Sequence, residues 1–352
     1  MLGYVKTIWH VESVSDIEKG HEDMQTISVN GRSLAIRANL HDFLSCYREL
    51  EPYSPLLWID QICIDQSQVQ ERNHQVGLMD QIYQKAEKTI VWVGNDPHDG
   101  LAFGTLQRLS DEGRRILGPS AEGYTLSERL REEINADVIA VSEPERQAIK
   151  ELRSSSYWTR HWIVQELMLS SDRQIMHGAS RMSWFDFVIG DTALRQSKHG
   201  PDDRKRYDHI AKLISLSNLA IPSARLIAAD TLRAQCFRVA ATTSCHDVRD
   251  KIYGIQSLFP PSMRIDVDYD ATPKEVLLSA AMALAKSLDR RDLSRINFDF
   301  DRIACAMGFE AEREKLYKEF TSTWQKYCKK HGMDKENNRL PDRPRWDAPW
   351  GS

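Results

Sequence analysis

The stretch from Leu56 to Gly94, LLWIDQICIDQSQVQERNHQVGLMDQIYQKAEKTIVWVG, constrains the fold more than any other part of the chain, because it reads as strand, helix, strand. Leu56 to Ile59 is an unbroken apolar run of the length of a strand buried on both faces, and Asp60 follows it, so a carboxylate emerges at the strand's carboxyl end. Open α/β sheets bind ligands at that end. Ser67 with Gln70 has the spacing of a capping box, and Val69, Val76, Met79, Tyr83 and Ala86 recur near the helical period. Thr89 to Val93 predicts a second strand, closed by the turn Gly94-Asn95-Asp96-Pro97. A right-handed crossover makes the two strands parallel.

On either side the signals continue. Residues 24 to 37 alternate apolar and polar about Asn30-Gly31, which predicts a β-hairpin. Asn39 is placed to cap a helix through about Leu50, with Leu40, Phe43, Leu44 and Tyr47 inward. Capping-box spacings recur at Thr125/Glu128 and Ser142/Glu145. From Tyr157 the pattern predicts a helix carrying Trp158, Trp162 and Glu166, then a short strand around Gln174 to Met176 and a turn at His177-Gly178. The remainder is mostly helical, and Asn337 to Ser352 has the composition of a linker or tail.

Composition narrows the function classes. With 352 residues and 41% hydrophobic content the chain can bury a sizeable core. Lysine and arginine number 47 against 51 acidic residues, a formal charge of −4, so no broad footprint for nucleic acid or an anionic membrane follows. The six cysteines are scattered without zinc-site spacing and read as reduced thiols, so no metal centre is expected. The longest apolar-leaning run, Val276 to Ala285, is too short to span a bilayer. A cytoplasmic protein is the expectation.

Two carboxylates stand out. Glu166 lies four residues after Trp162, with Ile163 and Leu169 three residues to either side, so its helical face is largely apolar. Partial burial there would raise its pKa and suit it to proton transfer or to stabilising a developing cation. The competing reading is an ion pair with Arg160 or Arg173, or a solvated edge. Asp60 is placed either to bind a ribose hydroxyl or backbone amide, or to cap a helix or turn. Asp65, Gln66 and Ser67 suit the cap of the following helix. The usual phosphate cradles, the nucleophile elbow and the zinc-protease helix are absent as motifs.

Taken together, Trp58-Ile59-Asp60 with Cys63-Ile64-x-Gln66, then Glu71-Arg72, Gln75, Met79, Tyr83 and Ala86, resemble the central motif of fungal heterokaryon-incompatibility (HET) domains. Tyr157-Trp158 with Arg160-x-Trp162-x-x-Gln165-Glu166 resembles the second motif of that family, and Asp247-x-Arg249-Asp250-Lys251-x-Tyr253-Gly254 the third, with Asp268-Tyr269 after it. The resemblance spans roughly residues 24 to 287. Asp65 stands where the family usually has Asn, and of the family's opening Leu-Ser-Tyr-x-Trp-Gly loop only Tyr4 and Trp9 are kept, as in a truncated or diverged amino terminus.

The resemblance implies an α/β fold like that of Toll/interleukin-receptor (TIR) domains: a flavodoxin-like, largely parallel sheet flanked by helices, with a β-hairpin near the amino terminus and additional carboxyl-terminal helices. It implies a HET domain over residues 1–287 and a helical extension with a tail over 288–352. Trp162-Ile163-Val164-Gln165-Glu166-Leu167 is similar to the helix in which enzymatic TIR domains carry their catalytic glutamate. The implied function is fungal non-self recognition or programmed cell death, with NAD as a substrate cleaved at the nicotinamide–ribose bond. Glu166 is then the catalytic residue, Asp60, Arg160, Asn95 and Trp162 contact the nucleotide, and Trp9 stacks on a base. The alternative is a non-catalytic signalling module whose output is self-association or recruitment of an incompatibility or receptor protein. The catalytic reading places the carboxyl ends of both strands opposite the Trp162–Glu166 helix across one cleft.

Overall fold

The structure, a computed structural model, describes residues 7–9 (backbone only), 24–52, 56–117, 140–196, 208–219, 229–288, 293, 296–334 and 338–341. Five short strands form one sheet in the order β4-β1-β5-β6-β7, where β1 is Thr7–Trp9, β4 Leu57–Ile59, β5 Lys88–Trp92, β6 Arg173–His177 and β7 Ser180–Ser183. β4 and β5 are parallel but not adjacent, since β1 lies between them and pairs with both. β6 joins β5 in parallel and β7 turns back antiparallel through Gly178, whose φ of 54° is a left-handed conformation open to glycine.

The alternation of side chains along β5 assigns its two faces. Ile90 and Trp92 point to a cluster with Ile36, Leu40, Phe43, Tyr47 and Met176. Val91, on the opposite face, joins a larger core with Met79, Tyr83, Leu106, Trp158 and Ile175. The helix Ala38–Leu50 covers the first face through Leu40, Phe43 and Tyr47, one stripe at helical spacing. Asn39 does not cap that helix; Arg37 is the N-cap, and the Asn39 side-chain oxygen accepts the Trp92 indole N–H at 2.8 Å. A buried indole requires such an acceptor, and the requirement outweighs capping here.

Between β1 and β4 in the chain stands the predicted hairpin, β2 (Met24–Val29) and β3 (Arg32–Arg37), a separate two-stranded sheet closed by Asn30 and Gly31 at φ of 53° and 76°. The helix Val69–Lys85 forms where the apolar period places it, but Ser67 and Gln70 make no capping box: Gln68 is the N-cap, and Asp65 holds the preceding turn by accepting from the Ser67 N–H and hydroxyl. The Ser142/Glu145 box does form, ahead of the helix Glu143–Ser154. The Thr125/Glu128 pair and residues 342–352 lie outside the described residues.

The expected TIR-like, flavodoxin-like architecture is overturned. Of the described residues 63% are helical and 12% are strand, so helices rather than a large parallel sheet carry the fold. The physical reason is that strands of three to five residues bury too little to organise the chain. After Ser183 the described elements are all helical, among them Trp184–Gln196, Ala229–Thr242, Pro273–Ser287, Ile296–Ala306 and Arg313–Lys330. They supply much of the larger core through Phe187, Phe237, Leu277, Phe300 and Phe320.

One close approach fixes how this helical layer meets the earlier half. Gly190 in the helix Trp184–Gln196 lies against the backbone of the helix Leu101–Leu117, and a Cβ there would sit under 3.0 Å from the Leu106 carbonyl oxygen. Backbone cannot swing aside as a side-chain tip can, so Gly190→Ala is expected to destabilise the fold by about 1–3 kcal/mol. Denaturant unfolding of the two proteins checks this.

Candidate functional site

Each resembling motif is placed by a different local device. After β4, Asp60 opens the one-turn helix Asp60–Cys63 and is 4% exposed. The second motif is not one continuous helix, as its spacing had predicted. Tyr157 and Trp158 lie in a 3-10 turn, Ser156–Thr159, and the α-helix begins only at Ile163. Between them the Ser244 N–H donates to the Thr159 carbonyl at 2.6 Å and the His161 N–H donates to the Ser244 carbonyl at 2.8 Å, so the backbone opens outward to a partner segment. In the third motif Asp247 receives a two-pronged bond from Arg249, at 2.8 and 2.6 Å, and the helix Asp250–Gln256 follows.

The three motifs converge on a small cleft of about 80 Å³. The first contributes Asp60, Gln66 and Arg72 to its wall, the second Trp162, and the third Asp247 and Asp250. Asp250 is the joint between them. One of its oxygens accepts the Tyr269 hydroxyl at 2.5 Å and the other accepts the Trp162 indole N–H at 3.3 Å. The Arg72 guanidinium stacks 3.8 Å from the centre of the Tyr269 ring, a cation–π contact across the same cleft. Burial, and then the Asp250 charge, push the Tyr269 phenol far above its ordinary pKa, so it remains a donor. Burial would raise the Asp247 carboxyl, but the Arg249 bonds outweigh it and hold Asp247 below the usual carboxylate range.

Tyr269 reaches the cleft on an extended segment that pairs with no strand. Residues 264 to 271 are pinned instead by side chains: Gln256 accepts the Ile265 N–H at 3.0 Å, the Tyr253 hydroxyl accepts the Asp268 N–H at 3.1 Å, and Asn73 accepts the Tyr269 N–H at 2.9 Å. Arg249 donates to the Tyr269 and Ala271 carbonyls at 2.5 and 2.7 Å. The backbone's demand for partners is thus met by residues of the third motif and the Val69–Lys85 helix rather than by a ladder.

Glu166 lies beneath this cleft, 1% exposed, and does not line it. It accepts the Tyr157 hydroxyl at 2.6 Å and stands 3.8 Å from the Arg160 guanidinium, whose carbon is 5.3 Å from the Tyr157 ring centre. Arg173, the other expected ion-pair partner, donates to the Leu167 carbonyl instead. Burial, then Glu166, then Asp60 raise the Tyr83 phenol, which brings Asp60, Tyr83 and Glu166 into one electrostatic neighbourhood.

The structure therefore brings Asp60 and Trp162 together in the cleft and Glu166 and Arg160 together behind it. Asn95 stands apart: it is exposed, donates to Asp42 at 2.7 Å and is not in the cleft wall. Trp9 has its backbone paired with Ile59 in β1, and its side chain lies outside the described residues, as does Tyr4. Arg72, Asp250 and Tyr269 stand in or beside the resembling motifs but carry no sequence signal of a site role; nothing in the spacing says that residues nearly two hundred apart share one cleft. No group of three or more His, Cys, Asp or Glu among the described residues is arranged to hold a metal ion.

Behind Trp162 the fold buries a histidine. His161 is 1% exposed, its Nδ1 lies 2.8 Å from the Thr243 hydroxyl, and Gly254 is packed on its ring so closely that a Cβ would meet its Cδ2 at 2.5 Å. Burial, reinforced by the Lys251 ammonium, lowers its pKa from 6.5 to about 3. Below pH 6.5 the unfolded chain takes up a proton that the folded one refuses, so this contribution to stability is full above that pH and is lost as the pH falls towards 3. Between roughly pH 7 and pH 5 the native protein is expected to lose about 2 kcal/mol more stability than His161→Gln. Urea midpoints at the two pH values measure the difference.

The family model described as heterokaryon incompatibility protein (HET) matches residues 4–166, which include the first two motifs. Heterokaryon incompatibility protein 6, OR allele, of Neurospora crassa is 27% identical over 277 residues, covering 70% of this chain. The alignment covers 40% of that relative, so the chain spans well under half of its length. No solved structure matches the chain. Both comparisons point to one family: residues 4–166 match the HET family model, and the chain is similar to a fungal heterokaryon incompatibility protein.

Proposed function

We propose that the chain acts in fungal heterokaryon incompatibility as a cytoplasmic signalling module, and that Glu166 serves it by holding the second motif in place rather than by reacting with a substrate. The domain is proposed to extend over residues 1–287, with 288–352 as a helical extension. One observation carries the reading: Glu166 is enclosed, bonded to Tyr157 and paired with Arg160, outside the cleft where the motifs meet. A carboxylate in that position does what buried carboxylates do in cores, which is to satisfy the donors around it. The output on this reading is self-association or recruitment of an incompatibility or receptor partner.

A second reading, NAD cleavage at the nicotinamide–ribose bond, is favoured by a separate observation. The Tyr83 hydroxyl and the Oε1 oxygen of Glu166 are buried and make no hydrogen bond among the described residues. On that reading Glu166 would stabilise an oxocarbenium-like centre.

One pair of variants separates the two. Glu166→Gln keeps an acceptor for Tyr157, and Glu166→Ala removes it. The structural reading predicts that Glu166→Gln still arrests growth when expressed in a fungal host. It predicts that Glu166→Ala loses about 2–4 kcal/mol of stability and the growth arrest with it. Nicotinamide release from NAD by the concentrated native protein, abolished in a folded Glu166→Gln, would replace this reading with the catalytic one.

A further inference from the structure

Far from the motif cluster in sequence, the carboxyl-terminal helix Arg313–Lys330 buries Leu316, Tyr317, Phe320, Trp324 and Cys328. The chain then turns at Gly332, where φ is 64°, and comes back across the helix at Asn338–Pro341. Two buried aromatic side chains fix that return: the Trp324 indole donates to the Asn338 carbonyl at 2.8 Å, and the Tyr317 hydroxyl donates to the Pro341 carbonyl at 3.0 Å. Between helix and returning segment is a groove of about 690 Å³, within the range of ligand sites.

The chemistry of this groove is one-sided. Lys318, Lys326, Lys329 and Arg339 line it, and no carboxylate among the described residues does, in a chain whose formal charge is −4. Lys318 pairs with Glu314 at 3.1 Å, but both side chains are largely exposed, so water screens the pair. Lys326 and Lys329 have no ion-pair partner among the described residues. Favourable placement at a helix carboxyl end accounts for Lys329 but not for Lys318, three turns earlier. Tyr317, Trp324 and Leu340 add an apolar floor.

We propose that this groove binds a short acidic peptide segment of a partner protein in extended form, its carboxylates on Lys326 and Lys329 and one apolar side chain over the groove's base, where Leu340 lies. From Lys318 to Lys329 the helix rises about 16 Å, which about five extended residues cover. The combination of cationic rim and apolar floor favours such a peptide over a plain polyanion, which would leave the floor unused. The groove lies outside the residues matched to the HET family, so the proposal stands or falls independently of the role given to Glu166.

Fluorescence anisotropy of the full chain with labelled peptides of the form acetyl-Glu-Glu-X-Glu-Glu-amide, X being Leu, Ile, Phe or Trp, tests it. At least one member is expected to bind saturably. The double variant Lys326→Glu/Lys329→Glu should weaken that binding at least tenfold, and so should Ser322→Trp, which fills the groove without changing its charge. Both should keep the native unfolding midpoint; Gln325→Trp, on the same wall, replaces Ser322→Trp if that variant does not fold. The absence of saturable binding by every member, equal binding by the groove-filled variant, or preference for anionic-lipid vesicles over the peptides would overturn the proposal.

Discussion

A buried carboxylate cannot be left without donors, and in this protein that requirement falls on Asp250. Its two oxygens take the Trp162 indole and the Tyr269 hydroxyl, which arrive from segments far apart in sequence. Tyr269 in turn carries the stacked Arg72, so a fourth segment is bound to the same point. Removing Tyr269 or Trp162 takes a donor away from the buried Asp250 carboxylate, so the three are energetically coupled. Its neighbours extend the same logic: Arg249 fixes the extended segment that bears Tyr269, and Glu166 receives Tyr157 one layer below.

Local elements were largely legible in the sequence, and the reason is local chemistry. Asn30-Gly31 specified the hairpin because its left-handed backbone suits few other pairs, and the apolar stripe of Leu40, Phe43 and Tyr47 specified a helix. The break within the second motif was not legible, since it depends on Ser244 taking backbone bonds that a continuous helix would have kept for itself. Nor was the balance of the fold. Strand patterns at 56–59 and 89–93 suggest the start of a large sheet, whereas short strands and a long helical second half make helices the larger part. The candidate site was legible as a set of motif residues and illegible as a place, because convergence across nearly two hundred residues leaves no periodicity to read.

This arrangement changes what the motifs mean. Residue types such as Trp, Tyr, Arg and Asp invite a catalytic interpretation when met in a sequence, yet here Trp162, Tyr269 and Tyr157 each donate to a buried carboxylate of the motifs. The cleft they enclose among the described residues holds about 80 Å³, room for a few waters. The glutamate expected at the chemistry sits behind it, and the exposed Asn95 serves a bond to Asp42. The spacious, charged groove lies instead at the carboxyl-terminal helix.

The central claim is that the motif residues form one mutually dependent polar clamp. A double-mutant cycle between Asp250→Asn and Tyr269→Phe tests it most directly, by measuring unfolding free energies of the native protein, both single variants and the pair. The clamp predicts a coupling of about 1–2 kcal/mol between the two sites; effects that add to within about 0.3 kcal/mol would contradict it.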